Sequence, residues 1–412
     1  MSAARVLIVG LNYAPEPVGI GPYTAGLAEA LAERGHQVTV IAGQPYYPQW
    51  RKDPAYTDGW RRGTEQGVTV TRCPHYVPRE PTGLRRIVHL ASFALSALGP
   101  ALRAAIGNSR PEVVIVIAPA VLSVLTAWLA ARLCGAPLWI HVQDFEVEAA
   151  LATGLIDSAG LTARIARRLE TWLLKLGDRV STISPQMVSG LVAKGLSPDR
   201  VMEIRNWSDP RFAVEPEAAA ALREQWGIGQ RKVALYSGNI ARKQGIEILI
   251  EAARLLKART DLVFVICGEG PNRANLTALA ADLPNVLLRD LQPAERMGAL
   301  LGLADVHLLP QIAEAADLVL PSKLTNMLAS GRPVLATAAT GTGLHAEVEG
   351  CGVLVAPGDA AALAAALAGL TDDDAERARL GLAALARAQE RWTRSAILAQ
   401  FESGLGKLLR RS

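Results

Sequence analysis

Short runs of β-branched residues, apolar on both faces and separated by helical patterns, recur along the whole 412-residue chain. They constrain the fold more than any other feature. A strand that is apolar on both faces needs helices on both sides, as in a parallel sheet. In the first half we read strands at 6–11, 38–41, 68–72, 113–118, 138–142, 180–184 and 201–204. Between the first two lies PYTAGLAEALAERGH. There Pro22 suits the first helical turn, Leu27, Ala28 and Leu31 share a face, and Gly35 ends the helix. Such a β–loop–α–β unit opens a Rossmann-like sheet. The pattern restarts after DPRFAVEPE (209–217) with a short Ala-rich helix. Strands follow at 233–237, 262–267, 286–288, 306–309, 334–336 and 352–355, and 246–258 is the clearest helix among them. The expected fold is α/β, with two facing Rossmann-like domains, parallel sheets and a ligand cleft at the C-terminal edges of the strands. The expected boundaries are 1–208, a linker at 209–217, 218–385, and a helical segment 386–412 that packs back on the first domain.

Composition narrows the function classes. Half the residues are apolar and a fifth are charged, which excludes a mainly disordered chain. Cysteines at 73, 134, 267 and 351 match no metal or redox spacing, so we read them as core residues in a reducing compartment. The apolar run 6–11 is too short for a signal peptide or a span. Net charge is only +4, but 51–110 holds ten Lys/Arg against four Asp/Glu. Within it, GLRRIVHLASFALSALGPALRAAIG (83–107) carries no full charge between Arg86 and Arg103. His89, Ser92, Ser96, Gly99 and Pro100 interrupt it too often for a transmembrane helix. It reads either as a buried helix pair or as a helical surface dipping into an anionic membrane beside Arg61, Arg62, Arg79, Arg85 and Arg86. No interleaved aromatics accompany the arginines, so no nucleic-acid partner is expected.

Four loops carry candidate chemistry. NYAPEPVGIGPYT joins a strand to a helix, and Gly19 and Gly21 permit close approach of a sugar or phosphate. It is neither GxGxxG nor a P-loop, which argues against a nicotinamide dehydrogenase or a simple NTPase. YSGNIARKQG (236–245) offers Gly238 and Asn239, then Arg242 and Lys243 to neutralise a diphosphate and stabilise a leaving group. CGEGPNR follows the next strand, with Gly268 and Gly270 open to a nucleotide. In ADLVLPSKLTNMLASGRPVLAT (316–337), Ser322 is a candidate N-cap, Lys323 an ammonium in the first turn, and Thr325 and Asn326 polar groups beside an apolar face. LWIHVQDFE ends a central strand with His141 and Asp144. That carboxylate is placed to orient or deprotonate an acceptor hydroxyl, with His141 beside it, and both are candidate catalytic residues along with Lys243. His36 reads as a cap or core residue. No compact His/Asp/Glu cluster suggests a metal site.

Taken in order, NYAPEPVGIGPYT, HVQDFE, NWSD, YSGNIARKQG, CGEGP and LPSKLTNMLASGRPV resemble the retaining glycosyltransferases of family 4, which have the GT-B fold. The likeness covers essentially the whole chain and is strongest to the colanic-acid and O-antigen branch, which includes L-fucosamine transferases. The family's NG-x-D becomes Asn206-Trp207-Ser208-Asp209. Its Arg and Lys in GRL-xxx-KG fall on Asn239 and Gln244, with Lys243 one position earlier and Arg242 a second cation. Anchored on Gly331, its paired glutamates fall on Val319 and Asn326, with Glu314 and Asp317 upstream at another spacing. Asn326 keeps a hydrogen-bonding group for the donor ribose but no charge.

The resemblance implies transfer of a hexosyl or N-acetylaminosugar group, with retention, from a nucleotide diphosphate sugar (a UDP-sugar favoured). The implied acceptor is a polyprenyl-diphosphate-linked saccharide, in cell-surface polysaccharide, O-antigen or lipopolysaccharide assembly. The enzyme would sit peripherally on the cytoplasmic face of the membrane and need no metal or other cofactor, since the basic C-domain loops stabilise the leaving diphosphate. Two rivals are a GT-B-fold UDP-sugar 2-epimerase and a noncatalytic nucleotide-sugar-binding subunit.

Overall fold

The computed structural model describes residues 3–17, 19–56, 59–80, 82–107, 109–145, 147–148, 160–208, 212–241, 244–313 and 320–410. The chain divides into two compact units, one made of Met1–Arg205 with Ser395–Ser412, the other of Asn206–Arg394.

Unit 1 contains, in chain order, β1 (Arg5–Gly10), α1 (Gly21–Glu33), β2 (Gln37–Gly43), β3 (Arg61–Glu65), β4 (Val68–Cys73), α2 (Gly83–Ala105), β5 (Val113–Ala118) and α3 (Ser123–Cys134). It continues with β6 (Leu138–Val142), α4 (Leu161–Lys175), β7 (Arg179–Thr182), α5 (Pro185–Ala193) and β8 (Val201–Glu203). The sheet order is β3-β4-β2-β1-β5-β6-β7-β8, parallel throughout except for the β3–β4 pair. Every residue of β5 and β6 is buried, as helices on both faces require. The C-terminal helix, Arg394–Leu409, completes this core from the far end of the chain: Phe401 stacks on Trp139 with ring centroids 4.3 Å apart and planes 11° apart.

Two features of unit 1 differ from the sequence reading. The polar RRGTE run is an edge strand, β3, hairpinned to β4 through Gln66 and Gly67, both at positive φ (47° and 78°). The 83–107 stretch is one helix rather than a helix pair. Pro100 lies inside α2 and has no N–H for the carbonyl of Ser96 one turn back. The Trp60 indole fills that role, donating from Nε1 to the Ser96 oxygen at 3.0 Å, so the helix continues through the proline. Ala94, Ala97, Ala101 and Ala105 form its buried face, and the hydroxyl of Thr126 in α3 donates to the Ala94 carbonyl at 2.8 Å.

Unit 2 contains α6 (Pro216–Gln225), β9 (Lys232–Ser237), α7 (Glu247–Leu255), β10 (Leu262–Cys267), α8 (Arg273–Leu279), β11 (Val286–Arg289) and α9 (Met297–Leu303). Then come β12 (Val306–Leu309), α10 (Lys323–Ala329), β13 (Val334–Thr337), α11 (Gly343–Val348), β14 (Gly352–Val355), α12 (Ala360–Asp372) and α13 (Asp374–Arg391). Its sheet is all parallel in the order β11-β10-β9-β12-β13-β14. One apolar layer under α7 and α12 packs Leu249, Ala253, Leu363 and Leu367 against Phe264 and Ile266. Each sheet reverses its strand order once, beside β1 in unit 1 and beside β9 in unit 2. Loops leaving the C-terminal ends of strands at such reversals splay apart and leave a crevice for ligands.

Candidate functional site

The loop after β1 carries the first glycine-rich motif. Its organiser is Glu16, 4% exposed, which the sequence reading did not single out. The Glu16 carboxylate accepts from Asn12 Nδ2 at 2.8 Å and from the backbone N–H groups of Tyr46 and Tyr47 at 3.1 Å each. Burial raises its pKa above the usual carboxylate range, opposed by those hydrogen bonds. Gly21 is tightly packed: a Cβ there would stand 3.0 Å from the Glu16 Cβ and 3.2 Å from the Tyr13 carbonyl, so a side chain would have to push Glu16 aside. Gly19 takes φ +76° under the Tyr47 ring. Arg72 of β4, buried, donates to the Glu65 carboxylate at 2.6 Å and to the Ala14 carbonyl at 2.5 Å, so the loop is tied from two sides.

Asp144 lies half-buried in the bend after β6. His141, on β6, is 4% exposed, and both ring nitrogens face protein groups. The Gln143 amide donates to Nε2 at 2.9 Å, which leaves Nδ1–H to donate to Ser181 Oγ at 2.8 Å. Trp139 Nε1 donates to the same hydroxyl at 2.7 Å. Burial lowers the His141 pKa to about 4, so the ring is neutral. Its place is behind the loop, holding the end of β6. His36 is likewise structural, accepting from Ala4 N at 3.0 Å.

In unit 2 the loops after β9 and β10 are zipped together by their backbones. Gly238 N donates to Cys267 O at 3.0 Å, Ile240 N to Glu269 O at 2.7 Å, and Asn272 N to Ile240 O at 3.1 Å. A Cβ at Gly268 would collide with the Gly238 carbonyl, and one at Gly270 with that of Ile240. These glycines are required by backbone-to-backbone packing as much as by any ligand. Lys323 reaches this pair of loops from α10. Its ammonium donates to Tyr236 Oη at 2.9 Å, lies 4.0 Å from the Tyr236 ring centroid, and is 3.2 Å from where a Cβ at Gly238 would be. Tyr236 Oη in turn donates to the Asn239 carbonyl at 2.7 Å, and burial raises its pKa. The sequence reading missed Tyr236, whose only signal was an aromatic hydroxyl two residues before the strand-end glycine.

The other expected groups are distributed unevenly. Ser322 holds the N-cap position of α10, but its hydroxyl makes no capping bond. Instead its carbonyl accepts from the buried Thr325 hydroxyl at 2.9 Å, which turns Thr325 inward. Asn326 is half-buried on the same short helix. Arg242, Lys243, Glu314, Asp317 and Val319 lie outside the described residues. Among the described residues, no group of three or more His, Cys, Asp or Glu could hold a metal ion. The four cysteines are buried free thiols.

Unit 1 also carries an apolar, basic exterior. Among the described residues, α2 is the one helix long and apolar enough to cross a membrane, yet only 28% of its most apolar 18-residue window is buried. It exposes Leu84, Ile87 and Val88 beside Arg85 and Arg86. The sequence reading overlooked α4, which exposes Leu161, Ile165, Leu169 and Trp172 in one stripe among Arg164, Arg167 and Arg168. The spacing of those four along LTARIARRLETWLLK was the available signal. α3 packs against both helices and adds Leu129 and Leu133.

Comparison with known proteins covers both units. Residues 18–207 match the glycosyl transferase 4-like domain, and residues 219–387 match glycosyl transferases group 1. The chain is 41% identical over 374 residues to the Escherichia coli K12 protein named as a colanic acid biosynthesis glycosyl transferase, WcaI, covering 88% of this chain and 91% of that one. Its fold is shared with sucrose-phosphate synthase of Thermosynechococcus elongatus (TM-score 0.78, 20% identity, 99% and 100% of the two chains). It is shared too with Anabaena HepE in complex with UDP-glucose (TM-score 0.71, 15% identity, 98% and 100%). Two glycine-rich loops at strand-order reversals, two matched domains in series and near full-length identity to WcaI place the chain in the glycosyl transferase 4-like, group 1 family, as a glycosyltransferase with the GT-B fold.

Proposed function

We propose that this enzyme moves a sugar, with retention, from a nucleotide diphosphate sugar to a polyprenyl-diphosphate-linked saccharide during cell-surface polysaccharide assembly. It would work peripherally at the cytoplasmic face of the membrane. The observation that carries the donor side is Lys323, an ammonium held over Tyr236 against Gly238, where the amide-rich loops after β9 and β10 meet. A diphosphate in that place would face one fixed cation and close backbone approach. The process is inferred from the likeness to WcaI. A uridine donor is favoured because HepE, which shares the fold, is crystallised with UDP-glucose.

In the proposed step the bond between the anomeric carbon and the β-phosphate oxygen breaks while the acceptor oxygen bonds to the same face of that carbon. The acceptor proton passes to the departing diphosphate, whose charge Lys323 stabilises, with Arg242 and Lys243 as further candidates. Asp144 orients the acceptor hydroxyl or the reacting sugar, and His141 positions the end of β6 that carries it. Arginine and lysine would serve in place of a metal, so donor binding and turnover should persist in chelator.

The test is a donor screen, UDP- and GDP-hexoses and N-acetylaminosugars, against polyprenyl-diphosphate sugar, read by mass spectrometry and by the anomeric configuration of the product. One added sugar with retained configuration is expected. Asp144→Ala should depress turnover and leave calorimetric donor affinity nearly intact. Epimerised donor formed without acceptor would favour the 2-epimerase, and binding without turnover the noncatalytic subunit.

A further inference from the structure

A groove of about 900 Å³ lies between the C-terminal half of α2 and strands β1, β2, β3 and β4. Arg5, Gln37 and Thr39 line it from the first halves of β1 and β2, and Ile41, Thr71 and Arg62 carry it along β2, β4 and β3 toward the other end of the sheet. Its volume falls within the usual range of small-molecule sites. One wall is apolar and open to solvent, with Trp60 59%, Leu95 72% and Ile106 66% exposed. Scattered apolar side chains on a surface need no explanation, but three large ones along a single groove do. The indole is fixed in place, because it supplies the Ser96 carbonyl with the donor that Pro100 lacks.

The charge of the groove is one-sided. Among the described residues, three arginines and no carboxylate line it. Arg5 is already engaged, donating to the Arg110 carbonyl at 2.8 Å and lying 3.6 Å from Glu112. Arg62 and Arg103 have no acidic partner among the described residues. Long apolar contact beside two unneutralised guanidinium groups is complementary to an amphiphile with an anionic head, and guanidinium is well matched to a phosphodiester. A soluble nucleotide or sugar would leave the exposed leucine and isoleucine uncovered.

We propose that this groove binds one anionic phospholipid of the membrane. The phosphodiester meets Arg62 and Arg103, and an acyl chain lies along Trp60, Leu95, Pro100 and Ile106. The lipid is neither donor nor acceptor; it docks the α2 side of unit 1 on the bilayer.

The test uses the full chain and monomeric lipid, so that a site is measured rather than adsorption to a surface. Dioctanoyl-phosphatidylglycerol below its micelle threshold is titrated by calorimetry, with dioctanoyl-phosphatidylcholine and inorganic phosphate as the other ligands. We expect one phosphatidylglycerol per chain, at least tenfold weaker phosphatidylcholine, and no measurable binding of phosphate. Arg62→Gln with Arg103→Gln should weaken phosphatidylglycerol binding at least tenfold. Gly99→Phe should do the same by filling the groove, since a Cβ at Gly99 meets nothing within 4 Å. Nucleotide affinity and the thermal midpoint, measured on the same proteins, confirm that the variants are folded. Equal binding of the two lipids, phosphate binding as tight as the lipid, or undiminished binding by Gly99→Phe would each overturn the assignment. None of these readouts depends on sugar transfer, so they leave the catalytic reading untouched.

Discussion

Lys323 is a costly residue for its own helix, since a cation in the first turn opposes the positive end of the helix dipole. The Tyr236 ring and hydroxyl hold it beside Gly238, where a bound diphosphate would face its charge. Lys323→Met keeps the apolar stem over the ring and removes the charge. Donor nucleotide affinity should fall by about 1.5–3 kcal/mol, the range of a charge-assisted contact, whereas Tyr236→Phe should cost less. Calorimetry with UDP and GDP decides it, and an unchanged affinity would remove Lys323 from the diphosphate site. That lysine was legible in the sequence because charge at a strand-end loop is a local signal. Glu16, Arg72 and Tyr236 were not, because their roles come from partners on other strands: Tyr46 and Tyr47 after β2, Glu65 on β3, and Lys323 on α10.

Elements were legible wherever burial alone decides them. The runs read as β5, β6, β10 and β12, wholly apolar but for His141 and His307, coincide with their strands residue for residue, as burial on both faces of a parallel sheet requires. β3 has no apolar pattern because edge strands are polar, and α2 hid its continuity behind a proline rescued by a residue 40 positions earlier. The attachment of α4 to α5 was equally invisible. Lys194, the residue that ends α5, donates to Glu170 of α4 at 2.8 Å and also to Glu148. Burial first, and then the Glu148 charge, pushes the Glu170 pKa to about 7 from its ordinary 4.5. Between those values the folded protein holds a proton that the unfolded chain has released, so this group's contribution to stability falls as pH rises. Buried His75, His141 and His307, with pKa values lowered to about 3, 4 and 3, act in the opposite sense. The diagnostic is therefore the difference between wild type and Glu170→Gln, followed by chemical denaturation. The variant should gain roughly 1–3 kcal/mol relative to wild type between pH 5 and pH 8, and a pH-independent difference would show that Glu170 stays ionised throughout.

Over the whole molecule, a net charge of +4 is too small to hold a protein of 43.7 kDa on an anionic membrane by itself. Attraction must come from where the charge lies, and on unit 1 arginines alternate with exposed apolar groups along α2 and α4. Co-sedimentation with phosphatidylglycerol vesicles should weaken as salt rises, because screening acts on the arginines and leaves the apolar contribution. Trp172→Asp should weaken it at every salt concentration, while resistance to alkaline extraction would mean insertion instead. The last helix adds a different consequence, one of timing. Unit 1 is built from the beginning of the chain, yet Trp139 in its central sheet is covered by Phe401, and Gly404 lies against the same indole. On the ribosome, nascent domains generally fold in the order of their synthesis. Here the half that emerges first must wait, its central tryptophan uncovered, until the entire second unit has been translated and the final helix has left the exit tunnel.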